Sequence, residues 1–230
     1  MSRKINFIGI GVQKAGTSWL SEAMSEHPDI YIHPKKEAHF FNNRKLYIDK
    51  YHYERTFKSK NEKIVGEITP AYILEENVAE KIYEYNPDVK LIVILRDPTA
   101  RAVSQYRMEM SRNTIEENLG LWDAFTRGLP KYGPMRERGL YKEQIERYYK
   151  YFNRSQILIL EYEELNTNPG LFIKKVFNFL KVEDSFLPSC LNTNIKHKRD
   201  TSEPIKIHDK DIENIREYYE SQDSLLTTES

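Results

Sequence analysis

A β-prone apolar run, Ile5, Phe7, Ile8 and Ile10, breaks at Gly11 into a short turn and gives way to a helix starting at Thr17 or Ser18. Strand, tight loop and helix N-terminus in that order form a cradle for an anion. The loop N–H groups point inward, the helix dipole is positive at that end, and Lys14 lies within reach. Gly11 and Gly16 have the separation found in the G-x-x-x-x-G-K-[ST] loop that grips nucleoside triphosphates, but Thr17 stands where the lysine belongs. In those enzymes the lysine bridges the outer phosphates and the next hydroxyl holds magnesium. Lys14, three residues earlier, aims its charge at a phosphate nearer the nucleoside or at the atom bridging to a leaving group. Taken alone, the loop fits equally an ordinary strand–turn–helix corner with an incidental lysine.

The rest of the chain repeats the alternation of strand and helix. Ile30–Ile32, Lys63–Ile68, Lys90–Leu95 and Gln156–Leu160 read as short strands, and KLIVIL (Lys90–Leu95) is a continuous apolar run of the kind buried in a central parallel strand. Helices are expected over Thr17–Ser25, Leu46–Phe57, Tyr72–Tyr85, Arg101–Met110, Tyr141–Phe152, Leu171–Leu180 and Ile212–Leu226, with Phe172, Val176, Phe179 and Leu180 as the core side of the Pro169-led helix. Glu163–Thr167 reads as an acidic turn, and Asn113–Tyr132 as either a mobile segment over the site or a plain connector. These elements predict a three-layer α/β fold with a P-loop NTPase-like central parallel sheet and helices on both faces. One domain is expected to cover residues 1–230, with its ligand at the strands' C-terminal ends.

Composition narrows the partners. The 35 Lys and Arg residues balance the 35 Asp and Glu, so no bulk field favours nucleic acid or an anionic membrane, and any anion site must be local. The longest apolar run, Leu91–Leu95, is too short to span a bilayer, and MSRKINFIGIGVQK lacks the apolar stretch of a signal peptide. The single cysteine, Cys190, excludes an intrachain disulfide framework and a cysteine-based zinc site. A cytoplasmic protein is the default expectation.

Two further stretches bear chemistry. HPKKEAHFFN (His33–Asn42) crowds Lys35, Lys36, Glu37 and His39 against Phe40 and Phe41 without helical or strand period, which suits a loop over a pocket. Desolvation beside the aromatic pair is expected to raise the pKa of Glu37, as a general base requires; the plainer reading is a solvated Lys–Glu surface over a buried Phe pair. At the end of KLIVIL, Arg96 comes first where a triphosphate enzyme wants an acidic magnesium ligand, and Asp97 follows only one place later. Arg96 and Ser104, eight residues apart, can converge on one anion as guanidinium fork plus hydroxyl. Alternatively, Arg96 pairs with Asp97 or another carboxylate. NTNIKHKRD (Asn192–Asp200) is the most basic local run, either a solvated loop or one wall of a phosphate site.

Together these residues resemble the sulfotransferases that use 3′-phosphoadenosine 5′-phosphosulfate (PAPS), in the subgroup of heparan sulfate sulfotransferases and their bacterial relatives. The resemblance spans nearly the whole chain. GVQKAGTSWL (Gly11–Leu20) is similar to the family's 5′-phosphosulfate loop and LRDPTARAVSQY (Leu95–Tyr106) to its 3′-phosphate segment. KKEAHFFN (Lys35–Asn42) resembles the segment carrying the catalytic glutamate, and GEITPAYI (Gly66–Ile73) one lining the acceptor pocket. The resemblance implies transfer of a sulfuryl group from PAPS to a carbohydrate or small-molecule hydroxyl, with no metal. Lys14 and its neighbours Ala15, Gly16, Thr17, Ser18 and Trp19 would hold the 5′ end, and Lys14 would neutralise the leaving group. Arg96 and Ser104 would hold the 3′-phosphate, and Lys196, Lys198 and Arg199 would close over the donor. Glu37 would be the base, with His39 the alternative. Two departures stand out: Lys196-His197-Lys198-Arg199 replaces the usual lysine–glycine pair, and Ile68 stands where the glycan enzymes often carry lysine. A small-molecule kinase using ATP and magnesium through a degenerate loop is the competing expectation.

Overall fold

A computed structural model describes residues 4–59, 61–116, 118–128, 134–192 and 205–227. Its element order is β1 (Phe7–Gly11), α1 (Thr17–Ser25), β2 (Ile30–Ile32), α2 (Lys50–Thr56), β3 (Ile64–Ile68), α3 (Val78–Tyr85), β4 (Lys90–Leu95), α4 (Pro98–Ser111), α5 (Leu121–Arg127), α6 (Tyr141–Tyr149), β5 (Ile157–Glu161), α7 (Tyr162–Thr167), α8 (Pro169–Leu180) and α9 (Asp209–Thr227). The five strands form one parallel sheet in the order β2-β3-β1-β4-β5. Helices on both faces complete a three-layer α/β fold of the P-loop NTPase-like kind, as the alternation in the sequence predicts. β1 lies at the centre with β4 beside it, so Leu91–Ile94 is buried on both sides, which is why that strand carries no polar alternation.

The described residues form two compact units. The first lies within Met1–Leu95 and Gln144–Ile195 and contains the sheet. Trp19 of α1 meets Phe172 of α8 edge to face there. The buried face of α8 is Phe172, Ile173, Val176, Phe177 and Leu180; Phe177, two residues before Phe179 and on the opposite side of the helix, takes the core position expected of Phe179.

The second unit lies within Arg96–Glu143 and Lys196–Ser230. Its core gathers Ala102 and Tyr106 of α4, Leu121, Ala124 and Phe125 of α5, and Ile215 and Tyr219 of α9 around Met135. The Leu121–Phe125 stretch is therefore part of a packed helix. Arg101 is fully buried, donating to Gln105 Oε1 at 2.7 Å and to the Met135 carbonyl at 2.6 Å.

Three local expectations are corrected. The helix expected from Leu46 begins only at Lys50, where the Asp49 side chain accepts the His52 N–H, and Leu46, Ile48 and Tyr51 are exposed. Tyr72–Tyr85 is not one helix: a 3-10 turn at Tyr72–Leu74 precedes α3, and Arg147 donates to the carbonyls of Ile73 and Leu74. A side chain thus satisfies acceptors that a continuous helix would use. Glu163–Thr167 is helical, as most of α7. Among the described residues no helix is long and apolar enough to cross a membrane.

Candidate active site

The loop after β1 is fixed at both ends. Val12 N–H donates to the Ile94 carbonyl of β4 at 3.0 Å, and Ala15 N–H turns back to the Val12 carbonyl. Lys14 and Gly16 both adopt positive φ, 75° and 83°. Gly16 is doubly constrained, because a Cβ there would also lie 2.7 Å from Leu165 Cδ2 on α7. The first bond of α1 runs from Leu20 N–H to the Gly16 carbonyl, so the amides of Thr17, Ser18 and Trp19 precede the helical ladder. No acidic residue occupies that turn. Ala15 is fully buried and the Trp19 ring packs on Phe172. Both leave only backbone donors for a ligand, so the indole itself is a core group.

Over this helix start sits a cation that does not come from the loop. Lys36 Nζ lies 3.3 Å from Thr17 Oγ1 and 3.2 Å from Ser18 Oγ, and 3.3 Å from Glu37 Oε1. The ammonium absent after Gly16 in sequence is thereby supplied from the His33–Asn42 loop. Glu37 Oε2 faces His39 Nε2 at 3.3 Å. Burial pushes the Glu37 pKa up, but the hydrogen bond from His39 and the charge of Lys36 outweigh it and hold the carboxyl below its ordinary range. This corrects the expected rise. Phe40 and Phe41 are themselves buried, Phe40 stacking on Tyr53 at 3.9 Å. The hydrogen bond to Glu37 raises the pKa of His39, which favours an imidazolium donating to Glu37 over a free base.

The loop is tied to the C-terminal end of β3. Ile68 N–H donates to the Lys36 carbonyl at 3.2 Å, and Ala38 N–H to Glu67 Oε2 at 2.9 Å. Glu67 is fully buried and also accepts from Tyr53 OH at 2.5 Å, Tyr72 OH at 2.9 Å and Thr69 Oγ1 at 2.5 Å. The whole of Gly66–Pro70 is buried. Ile68 is fully buried, its side chain set against Gly9 of β1.

Arg96 directly follows β4, and its carbonyl accepts from Tyr141 OH at 2.9 Å. Asp97 caps α4, its Oδ1 accepting the Ala100 N–H at 2.6 Å; this acid is spent on a helix end. Ser104 is half-buried on α4. Lys196, Lys198 and Arg199 lie outside the described residues.

A family model described as sulfotransferase domain matches residues 5–218. The chain belongs to this family. Among curated proteins it is 34% identical over 194 residues to mouse heparan sulfate glucosamine 3-O-sulfotransferase 5, an alignment covering 75% of this chain and 52% of that protein. The chain thus spans about half the length of the curated relatives it matches. A crystal structure of a sulfotransferase from Alicyclobacillus acidocaldarius superposes with a TM-score of 0.74 at 31% identity, covering 85% of this chain and 88% of the other. The sulfotransferase domain from the curacin biosynthetic pathway, 13% identical with a TM-score of 0.59, covers 96% of this chain and 99% of its own, an agreement of fold alone.

Two residues of this arrangement are given no role by the motifs that mark the family. Lys36 was one of several charges in a crowded loop, and its partners Thr17 and Ser18 lie 19 and 18 positions away. Glu67 carried a usable signal: an acid inside a strand flanked by other parallel strands is a buried charge in need of donors.

Proposed function

We propose that this sulfotransferase moves a sulfuryl group from PAPS to the hydroxyl of a carbohydrate or small-molecule alcohol, with Glu37 as general base. The observation that supports it most is the placement of Lys36, which joins the Glu37 carboxylate to the hydroxyls at the α1 N-terminus. Base and anion-binding donors are thus at one place. The donor set fits a phosphosulfate: first-turn amides, two hydroxyls, a lysine-bearing loop and no nearby acid on α1. When bound, PAPS supplies a sulfur that loses its bond to the 5′-phosphate oxygen as it gains one to the acceptor oxygen. Glu37 receives the acceptor's hydroxyl proton, and Lys14 and Lys36 offset the charge gathering on the leaving oxygen. His39 holds the carboxylate in place. The family resemblance assigns Arg96 and Ser104 to the 3′-phosphate. A curated relative acts by its name on heparan sulfate glucosamine, which keeps a sugar hydroxyl among the acceptors. The buried Ile68, in place of a lysine, favours one less charged than a sulfated polysaccharide.

A kinase reading finds less support, since Thr17 replaces the loop lysine and Asp97 caps a helix. The two separate cleanly by thermal shift. At a hundredfold excess over Kd, 3′-phosphoadenosine 5′-phosphate (PAP) without metal should stabilise the protein by about 2.7 kcal/mol, or about 5–10 °C for a chain of this size. Labelled sulfuryl should pass from PAPS to an alcohol in an acceptor panel. Stabilisation by ATP–magnesium alone, with no transfer, overturns the proposal.

Lys36→Met tests the second lysine. It should lower kcat by about a hundredfold, the loss typical of one transition-state donor. It also removes a charge that depresses the Glu37 pKa, so the acid limb of kcat/KM should move to higher pH. An unmoved limb with unchanged kcat would remove Lys36 from the site.

A further inference from the structure

Glu67 belongs to no step of the reaction above, yet it is a fully buried carboxylate held by four donors, two on each oxygen. Following those donors outward leads back to the base. Ala38, next to Glu37, gives its N–H directly to Glu67. His39 N–H lies 3.5 Å from Thr69 Oγ1, and that hydroxyl donates to Glu67. Phe41 N–H donates to Tyr72 OH at 3.3 Å, and that hydroxyl also donates to Glu67. With each hydroxyl already accepting an amide proton, its own proton is directed at the carboxylate. Three backbone amides of one loop therefore terminate on a single side chain.

The loop needs such a tether. Lys36 and His39, on either side of Glu37, both hold positive φ, 59° and 53°, a conformation unfavourable for a residue with a Cβ. Strained backbone of this kind persists only where its surroundings over-determine it. Burial pushes the pKa of Glu67 up, while its hydrogen bonds oppose the rise.

We propose that Glu67 is a positioning residue of the sulfotransferase centre: through Ala38, Thr69 and Tyr72 it fixes the Lys36–Phe41 turn and so aims Glu37. The inference rests on the reading of Glu37 as base. It differs from a general stabilising role because the tethered amides, Ala38, His39 and Phe41, all follow Glu37, and none belongs to Lys36, α1 or the Lys14 loop. Chemistry should therefore suffer while nucleotide binding does not.

Two variants test it. In Glu67→Gln the amide oxygen can still accept from Ala38, while the NH2 group meets tyrosine hydroxyls that can turn. Thr69→Val removes only the relay to His39. At a temperature where both are folded, each should lower kcat about tenfold with the Kd for PAP within about twofold of the parent, the smaller loss falling on whichever variant retains more of the tether. Amide hydrogen exchange should accelerate at Phe41 in Glu67→Gln and at His39 in Thr69→Val. Folded variants with parental kcat and parental exchange overturn the proposal, as does a fall in kcat matched by an equal loss of PAP affinity. If the parent protein itself transfers no sulfuryl group, the functional reading fails; the exchange rates still decide whether Glu67 holds the loop.

Discussion

Glu37→Gln is expected to lower kcat by about 10²–10⁴-fold, the range of a lost general base, while PAP binds as tightly as before or more so. The amide is isosteric but takes up no proton. Removing a carboxylate beside the anion-binding donors also removes a repulsion, so an anionic nucleotide has nothing to lose. The pH dependence follows from the direction of the shifts. Because the Glu37 pKa lies below its ordinary value, the base is ionised at neutral pH. Activity should persist on acidification and fall only as pH drops through that lowered pKa. His39 supplies the internal check. Its pKa is raised chiefly by the hydrogen bond to Glu37, so in the variant it should fall back and free a neutral imidazole near pH 7. Residual turnover that titrates with a histidine-like pKa and disappears in Glu37→Gln/His39→Asn would assign that remnant to His39. Undiminished turnover in Glu37→Gln sinks the base assignment.

The elements whose signal is local are the ones the sequence declares. β1 and α1 follow from an apolar run, a glycine turn and a helical resumption. β4 follows from an unbroken buried run, and α8 from a proline at its first position capped by Asn168. The chemistry of the site depends instead on distant pairings. Glu67 takes its hydroxyl donors from Tyr53 on α2, and from Thr69 and Tyr72 just beyond β3; no periodicity links them. Glu37 shows the opposite hazard, in which adjacency misleads. Phe40 and Phe41 follow it closely in the chain, but the positive φ at His39 turns the backbone between them. The rings enter a cluster with Tyr53, Tyr72 and Tyr85, and the carboxylate is left between Lys36 and His39. The same turn that removes the aromatic environment creates the ionic one.

The largest effect on stability is expected from a single methyl at Gly66. This residue pairs with Phe7 of β1 on one side and with Ile32 of β2 on the other. A Cβ built there would stand 2.1 Å from the Phe7 carbonyl oxygen and 2.5 Å from its ring. The obstacle is backbone of the central strand, so rotamer changes give no relief, and the sheet must open between β1 and β3. Gly66→Ala should therefore cost more than about 4 kcal/mol, at the upper end of single substitutions, and lower Tm by at least about 8–16 °C. Gly170→Ala is the matched control: it lies in the first turn of α8, and the nearest side-chain atom, Asn168 Oδ1, would be 3.7 Å from the new Cβ. Helix propensity there should make alanine neutral or stabilising by up to about 1 kcal/mol. The contrast bears on the site as well as on the sheet. β1 delivers the Lys14 loop and β3 delivers Glu67, so a variant that separates them should lose PAP binding at temperatures where Gly170→Ala retains it. If Gly66→Ala melts with the parent protein, β1 and β3 are not packed backbone against glycine as described, and the registration of base and anion cradle loses its structural ground.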